Sequence, residues 1–348
     1  MLTYRTGAAG IPGVAKSMAA HLLNETQVPE IQAKLAEYYG NGPVADSLNQ
    51  SAALPRADMD PQIAKALGID PTRALSETEV AHLLTGLRAD GEQIKGKQVQ
   101  ASTKDRTRIA YADFTLSAPK SFSVALALAP TEAERAMLDR AHRKAAEWTM
   151  NHIAEQIGLS RKGKGGKDGY DQAHVAWIQF DHYTARPTVK VPVVENGIAT
   201  TELLTVKVAG DPQRHTHFII PNAVISKADG RVTSFFQDRI RGRVHEWGSI
   251  YQARLGVELR EHGVEWELDS DTTKSMNQRM GRLTSVPRSI SDLFSKRTHD
   301  GEEAARDYAS RAGADWDNMS DTAKIKFMKG GTAKARRSKQ DDLADYNS

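Results

Sequence analysis

The sequence predicts an α+β fold: a mostly antiparallel central sheet with helices packed against it, plus a helical N-terminal insertion and a C-terminal helical segment. Three observations carry this expectation. Runs of strand character recur at residues 108–116, 174–180, 202–208 and 215–225, two long helix-period stretches lie among and after them, and the last strands have hairpin-like spacing. A parallel dinucleotide-binding sheet is the weaker alternative, because no G-x-G-x-x-G follows a strand.

In chain order, residues 2–13 combine a short β-like start with Gly7, Gly10 and Gly13, and residues 14–23 and 30–39 read as helices separated by Pro29. Tyr38 and Tyr39 therefore end a helix. Gly40-Asn41-Gly42-Pro43 cannot continue it, so the two phenols project beside a turn. Residues 58–91 form short helices punctuated by Pro61, Gly68 and Pro71, an insertion or subdomain with no evident chemistry. From Arg108 the period changes: Ile109, Tyr111, Asp113 and Thr115 alternate with Ala110, Ala112, Phe114 and Leu116, as in a half-buried strand. Thr131 and Glu134 make a capping box for a long helix that buries Leu138, Ala141, Ala145 and Trp148 and ends at Gly158. Residues 161–167 are a basic glycine-rich loop. A second amphipathic helix covers residues 237–262, with Ile240, Val244, Trp247, Tyr251 and Leu255 on one face. After Phe294 the chain turns polar, and residues 324–339 hold seven basic residues and no acidic one, a solvated tail or linker. The domain reading is thus 1–300 for a folded domain and 301–348 for the tail.

Composition narrows the function classes. With 348 residues, 39% hydrophobic and 26% charged, the chain fits a folded globular protein rather than a disordered, collagen-like or coiled-coil one. Apolar stretches such as residues 124–129 fall far short of the ~18 residues of a membrane span, and residues 1–39 contain no positively headed apolar signal core, so neither membrane insertion nor secretion is expected. The absence of cysteine excludes disulfide frameworks, cysteine zinc fingers, iron–sulfur clusters and thiol nucleophiles. Any metal must rest on His, Asp or Glu. A net charge of +3 admits a polyanionic partner only where basic residues cluster.

The most informative motif is Arg214-His215-Thr216-His217. On a strand, His215 and His217 project side by side while Thr216 points away, which preorganises two ligands for a metal; hydrogen bonding on a polar sheet face is the plainer reading of the same pair. A third ligand must come from a neighbouring element, and His182, just past the strand ending at Phe180, is the candidate. The other histidines read as ordinary. Asp113 sits mid-strand, where a carboxylate is costly unless paired; it is either a general base or orienter of a metal-bound His, or a group bonding backbone amides near Ser117 or Ser121. Ser117 and Lys120 match Ser-x-x-Lys formally, but Pro119 prevents the helical spacing such a nucleophile needs. Tyr38 and Tyr39 are helix-end surface residues unless a metal polarises an electrophile for them, in which case a phenol is a competent nucleophile. The loop bearing Lys162 and Lys164 fails the P-loop spacing; it lies against a nucleic-acid backbone or is merely solvated. Arg231, Arg239, Arg241 and Arg243 around Phe235 and Phe236 supply charge and stacking faces for single-stranded DNA, or else surface ion pairs.

Taken together these segments resemble the N-terminal relaxase domain of the TrwC/TraI-like conjugative relaxases, a branch of the His-hydrophobe-His endonucleases. The matching stretches are Ala36-Glu37-Tyr38-Tyr39, the run from Tyr111 through Ser117-Ala118-Pro119-Lys120-Ser121, Phe180-Asp181-His182-Tyr183-Thr184-Ala185-Arg186, and Asp211-Pro212-Gln213-Arg214-His215-Thr216-His217. The resemblance spans about residues 1–300 and implies the palm-like sheet of that family. It implies a divalent metal on His182, His215 and His217, with Mg or Mn serving in the cell and Zn, Ni or Co accepted. It also implies proton movement assisted by Asp113, and Tyr38 as the nucleophile with Tyr39 in reserve. Arg186, Lys120, Lys162, Lys164, Arg239 and Arg243 would contact phosphate or DNA. The implied partners are origin-of-transfer DNA, single-stranded with an adjacent hairpin or duplex, and other relaxosome and type IV secretion coupling proteins; the implied location is the bacterial cytoplasm. Two features depart from the family pattern. Tyr38–Tyr39 is the sole tyrosine pair, and residues 187–209 insert an extra hairpin between His182 and His215. Family members usually continue into a helicase, of which no Walker motif is present here. The alternatives are a rolling-circle replication initiator, a non-catalytic origin-binding protein, and a metal-dependent small-molecule enzyme of cupin type.

Overall fold

The alternating run around Asp113 forms the middle of the main sheet. In a computed structural model, which describes residues 1–10, 12–23, 51–95, 108–163, 166–185, 188–195, 198–205, 210–269, 280–295 and part of 299–324, the chain begins with β1 (Leu2–Ala8), α1 (Pro12–Leu23), β2 (Leu54–Pro55), α2 (Pro61–Leu67) and α3 (Glu77–Thr85). It continues through β3 (Ile109–Ser117), α4 (Lys120–Ala127), α5 (Glu132–Ile157), β4 (Leu159–Arg161), β5 (Tyr170–Val175) and β6 (Ile178–Thr184). Next come β7 (Thr188–Glu195), β8 (Ile198–Thr205), β9 (Pro212–Pro221), β10 (Val224–Ser226), β11 (Val232–Thr233) and α6 (Val244–Glu261), then β12 (Trp266–Leu268), β13 (Gly281–Leu283) and α7 (Arg288–Leu293). The five-stranded sheet is ordered β1-β3-β9-β6-β2 with antiparallel neighbours throughout. A four-stranded sheet, β11-β10-β5-β4, and two hairpins, β7-β8 and β12-β13, complete the strands.

Period-two alternation gives the five-stranded sheet two apolar faces. On one, Ala112, Phe114, Phe218 and Ile220 pack against α4, α5 and α6 through Phe122, Leu138, Met150, Trp247 and Tyr251. On the other, Tyr111, Ile178, Phe180 and Ile219 pack against α1, α2 and α3 through Ala19, Leu22, Ile63, Leu67, Leu83 and Leu84. The short helices of residues 58–91 are thus the second covering layer of the sheet. Their ends follow local chemistry. Asp60 caps α2 and Gly68 ends it in the left-handed region at φ 67°, while Ser76 and Glu79 close a capping box on α3. Thr131 caps α5 by accepting from the Glu134 amide.

Several boundaries differ from the sequence reading. Residues 174–180 are two strands in two sheets, broken at Ala176–Trp177, where Trp177 is buried under the Arg56 guanidinium 4.3 Å from its ring. Trp148 is 45% exposed and stacks on His152, because the buried stripe of α5 runs through His142, Thr149 and Ile153 instead. The helix expected from residue 237 begins with a 3₁₀ turn at Gln237–Arg239, and Gly242 at φ 79° delays α6 to Val244. Residues 187–209 contain the expected hairpin, β7 paired with β8. At its base a Cβ on Gly210 would lie 1.8 Å from the Ala185 carbonyl oxygen, so only glycine lets the two legs approach. Within the stretch read as a polar tail, Ala305, Ala309 and Trp316 form a small buried cluster.

Phe114 is fully buried between Tyr4 and Trp247. Phe114→Ala is expected to cost about 3–5 kcal/mol, read as a lower urea midpoint at unchanged m-value.

Candidate metal centre

Alternation divides β9 between two environments. His215, His217 and Ile219 face the α1–α3 layer, whereas Arg214, Thr216, Phe218 and Ile220 face α4–α6. Register does the rest. His182 lies directly opposite His215, Phe180 opposite His217, and Thr115 opposite His217 from the other side. Opposed residues of antiparallel strands project to the same face. The His182, His215 and His217 rings therefore meet, with centroids 5.1 Å, 5.1 Å and 5.2 Å apart.

One nitrogen of each ring is held by a hydrogen-bond acceptor. His217 Nδ1–H donates to Asp113 Oδ1 at 2.9 Å, His215 Nδ1–H to the Gln213 carbonyl at 2.8 Å, and His182 Nε2–H to the Leu22 carbonyl at 2.8 Å. A neutral imidazole then carries its lone pair on the other nitrogen, Nε2 in His215 and His217 and Nδ1 in His182. Adjacent imidazole lone pairs, one of them backed by a carboxylate, have the chemistry of a divalent-cation donor set, and the His182 and His217 nitrogens lie within 4.8 Å of each other with the His215 ring centred 5.1 Å and 5.2 Å from theirs. Burial, reinforced by the charges of His182 and His217, pushes the His215 pKa well below the ordinary value and favours its ligating form.

Asp113 is 3% exposed. Burial pushes its carboxyl upward, but the charge and hydrogen bonding of His217, then Thr115 and Arg5, outweigh it and hold the group below the usual carboxylate value. Both oxygens are within 3.1 Å of His217 Nδ1, so Asp113 orients that ring rather than bonding amides near Ser117 or Ser121.

Two residues near the centre carry no local signal in the sequence. Arg5 lies opposite Asp113 in the β1–β3 register. His21, in the last turn of α1, has its ring 5.7 Å from His182 and 6.3 Å from His217. Nitrogens of His21, His182 and His217 all lie within 4.8 Å of one another. A lone His in a last helical turn reads as a dipole partner, and only tertiary packing brings this one to the cluster.

The opposite face of β9 holds buried charge. Arg214 is fully buried; its Nε donates to Asp139 Oδ1 at 2.8 Å and its Nη1 to the His215 carbonyl at 2.9 Å. Arg143 joins Asp139 at 2.8 Å and Asp181 at 3.2 Å. Thr216 donates to Asp181 at 2.6 Å, so it accepts from His142 Nε2–H at 2.9 Å, and His142 Nδ1 accepts from the Tyr251 hydroxyl at 2.7 Å. Burial drives His142 well below the usual value, which keeps this chain of hydrogen bonds neutral at His142.

The remaining site candidates scatter. Lys120 opens α4, donates to the Pro212 carbonyl at 2.8 Å and is lowered to about 8 by burial, against the opposing charge of Asp211. Lys162 lies 3.4 Å from Asp171. The Arg239 guanidinium is 5.9 Å from the Phe236 ring, which packs on Tyr170 at 4.6 Å. Arg243 pairs with Glu246 at 2.9 Å and lies over Trp247. Tyr38, Tyr39, Lys164 and Arg186 lie outside the described residues.

Asp139 and Asp181 are both held below the ordinary value of 3.8, because burial, which raises them, is outweighed by Arg214 and Arg143. Each therefore adds stability that is present above its unfolded pKa and lost as pH falls through its lower folded one. Urea midpoints should hold steady from neutral pH down to about 4 as far as this pair is concerned and drop below it. Arg214→Met should cost about 3–5 kcal/mol at neutral pH by leaving buried carboxylates undercompensated, a deficit that shrinks as they protonate.

Comparisons with known proteins place the fold and the family. No curated protein matches the chain. Among solved structures, a metal-bound conjugative relaxase TrwC in complex with OriT DNA superposes at TM-score 0.58 with 22% identity, covering 95% of this chain and 90% of that one. A copper-bound TrwC–OriT DNA complex gives 0.60 at 22% identity, and TrwC with a 27-mer DNA comprising the recognition hairpin and the cleavage site gives 0.55 at 20%, each with the same coverage of 95% and 90%. These likenesses establish the shared fold. The TrwC relaxase family model matches residues 25–347, nearly the whole chain, and the protein belongs to that family.

Proposed function

We propose that the chain nicks one DNA strand at a plasmid origin of transfer and holds that strand covalently, to start conjugation. The observation that carries this reading is the convergence of His182, His215 and His217 within 5.2 Å on one sheet face, with Asp113 behind His217. These three imidazoles would hold a divalent cation, Mg or Mn in the cell and Zn, Ni or Co by donor preference. When bound, the cation supplies Lewis-acid polarisation of a phosphodiester oxygen.

The protein's own groups do the rest. Tyr38, with Tyr39 in reserve, attacks the scissile phosphorus through its phenolic oxygen. The new O–P bond forms as the P–O3′ bond breaks, the phenol loses its proton, and the departing 3′ oxygen gains one, leaving a 5′-phosphotyrosyl link and a free 3′-hydroxyl. Asp113 is a positioning residue here: it fixes the His217 tautomer and, through that ring, assists proton movement. Arg186, Lys120, Lys162, Lys164, Arg239 and Arg243 would track the DNA backbone, which makes binding salt-sensitive. The TrwC complex with hairpin and cleavage-site DNA supports a hairpin beside the nicked strand as part of the partner. Relaxosome and type IV coupling proteins complete the proposed partners, and the bacterial cytoplasm is the proposed location; among the described residues no helix is long and apolar enough to cross a membrane.

Incubation with an origin-bearing oligonucleotide and Mg2+ or Mn2+ should give a protein–DNA adduct that EDTA prevents. Tyr38→Phe should reduce it sharply, and an undiminished adduct with both Tyr38 and Tyr39 changed to Phe would remove the nucleophile assignment. Asp113→Asn should weaken cation affinity ~10–100-fold by calorimetry, as loss of a ligand-orienting carboxylate does.

A further inference from the structure

We propose that His21 is a fourth imidazole ligand of the cation, so that the metal is gripped from two layers of the fold, the sheet and the helix over it. This rests on the reading that His182, His215 and His217 form a metal centre, and it adds a residue from outside the sheet.

The strand histidines all rise from one face of β6 and β9 and approach a cation from one side. His21 comes from α1, which packs over that face through Ala15, Ala19, Leu22 and Leu23. The end of this helix is fixed against the centre, because the Leu22 carbonyl accepts from His182 Nε2–H at 2.8 Å. The next residue back in the chain is His21, and its nitrogen joins those of His182 and His217 within 4.8 Å. Two atoms bonded to one cation at ~2.0–2.1 Å are at most about 4.2 Å apart, so nitrogens within 4.8 Å of one another stand slightly wider than a shared cation would hold them and would close onto it on binding.

Two consequences follow. An all-nitrogen set of this size binds Co2+, Ni2+, Cu2+ or Zn2+ more tightly than Mg2+, whatever cation is available in the cell, which makes Co2+ a suitable probe. And a cation bound to both layers pins the end of α1, the helix that leads into the segment carrying Tyr38 and Tyr39, to the catalytic sheet.

The test is Co2+ binding to the full chain without DNA, followed by calorimetry and absorption spectroscopy. His21→Gln should weaken Co2+ at least on the order of 10–100-fold, the loss typical of residues that support a metal site. His21→Cys should restore affinity and add a sulfur-to-cobalt charge-transfer band in the near ultraviolet, unambiguous because the chain has no cysteine of its own. That rescue separates a lost ligand from a disturbed helix. Affinity unchanged in His21→Gln, together with no such band in His21→Cys, would overturn the proposal while leaving the strand triad intact. His217→Ala run in parallel reports on the triad itself: wild-type Co2+ affinity there would remove the metal centre on which both readings stand.

Discussion

The constraint on which the site depends is the register of β3, β9 and β6. A strand carries side chains with period two, so a slip of one residue would turn His215 and His217 toward the α4–α6 layer and bring Arg214 and Thr216 to the cation side. The pairing His182 opposite His215 and Thr115 opposite His217 must therefore hold to the residue. Apolar alternation supplies much of this: Phe218 and Ile220 belong to one core, Ile219 and Phe180 to the other, and either slip would bury polar groups in both.

Buried charge on the far face adds a second lock. Arg214 is fully enclosed and is compensated by Asp139 from α5 and Asp181 from β6, so β9 fits its neighbours in one register only. A buried ion pair contributes less to stability than its Coulomb energy suggests, but an unpaired buried arginine is strongly penalised, so the network acts mainly to reject alternatives. Its hydrogen bond to the His215 carbonyl links it to the backbone that carries the metal-facing histidines. The same strand thus presents ligands on one side and is fixed in place from the other.

Local order was legible where one physical signal dominated. The alternation at residues 109–116, the Thr131 cap and the His-x-His spacing each reflect interactions within a few residues, and each appears in the structure, although Glu134 accepts from the Thr131 hydroxyl instead of closing the expected capping box. Local signals misled where a choice between neighbours decided. Residues 174–180 look like one strand because alternation does not say which sheet a strand joins, and Trp148 looks buried because a helix face can continue at i+3 or i+4, and here it passes from Ala145 to Thr149. The small Ala305–Ala309–Trp316 cluster escaped notice because alanines contribute little to any periodic pattern.

The sequence by itself determined the residue chemistry: three histidines and a mid-strand aspartate able to serve a cation, the absence of thiols, the tyrosine pair, and an antiparallel α+β architecture. Tertiary structure decided what no spacing encodes. It placed His182 across from His215, gave both Asp113 oxygens to His217, buried Arg214 between two aspartates, and carried His21 from a distant helix to the cluster. The physical reason is that ligand sets and buried ion pairs are properties of distance in space, whereas sequence patterns report only the period of the local backbone.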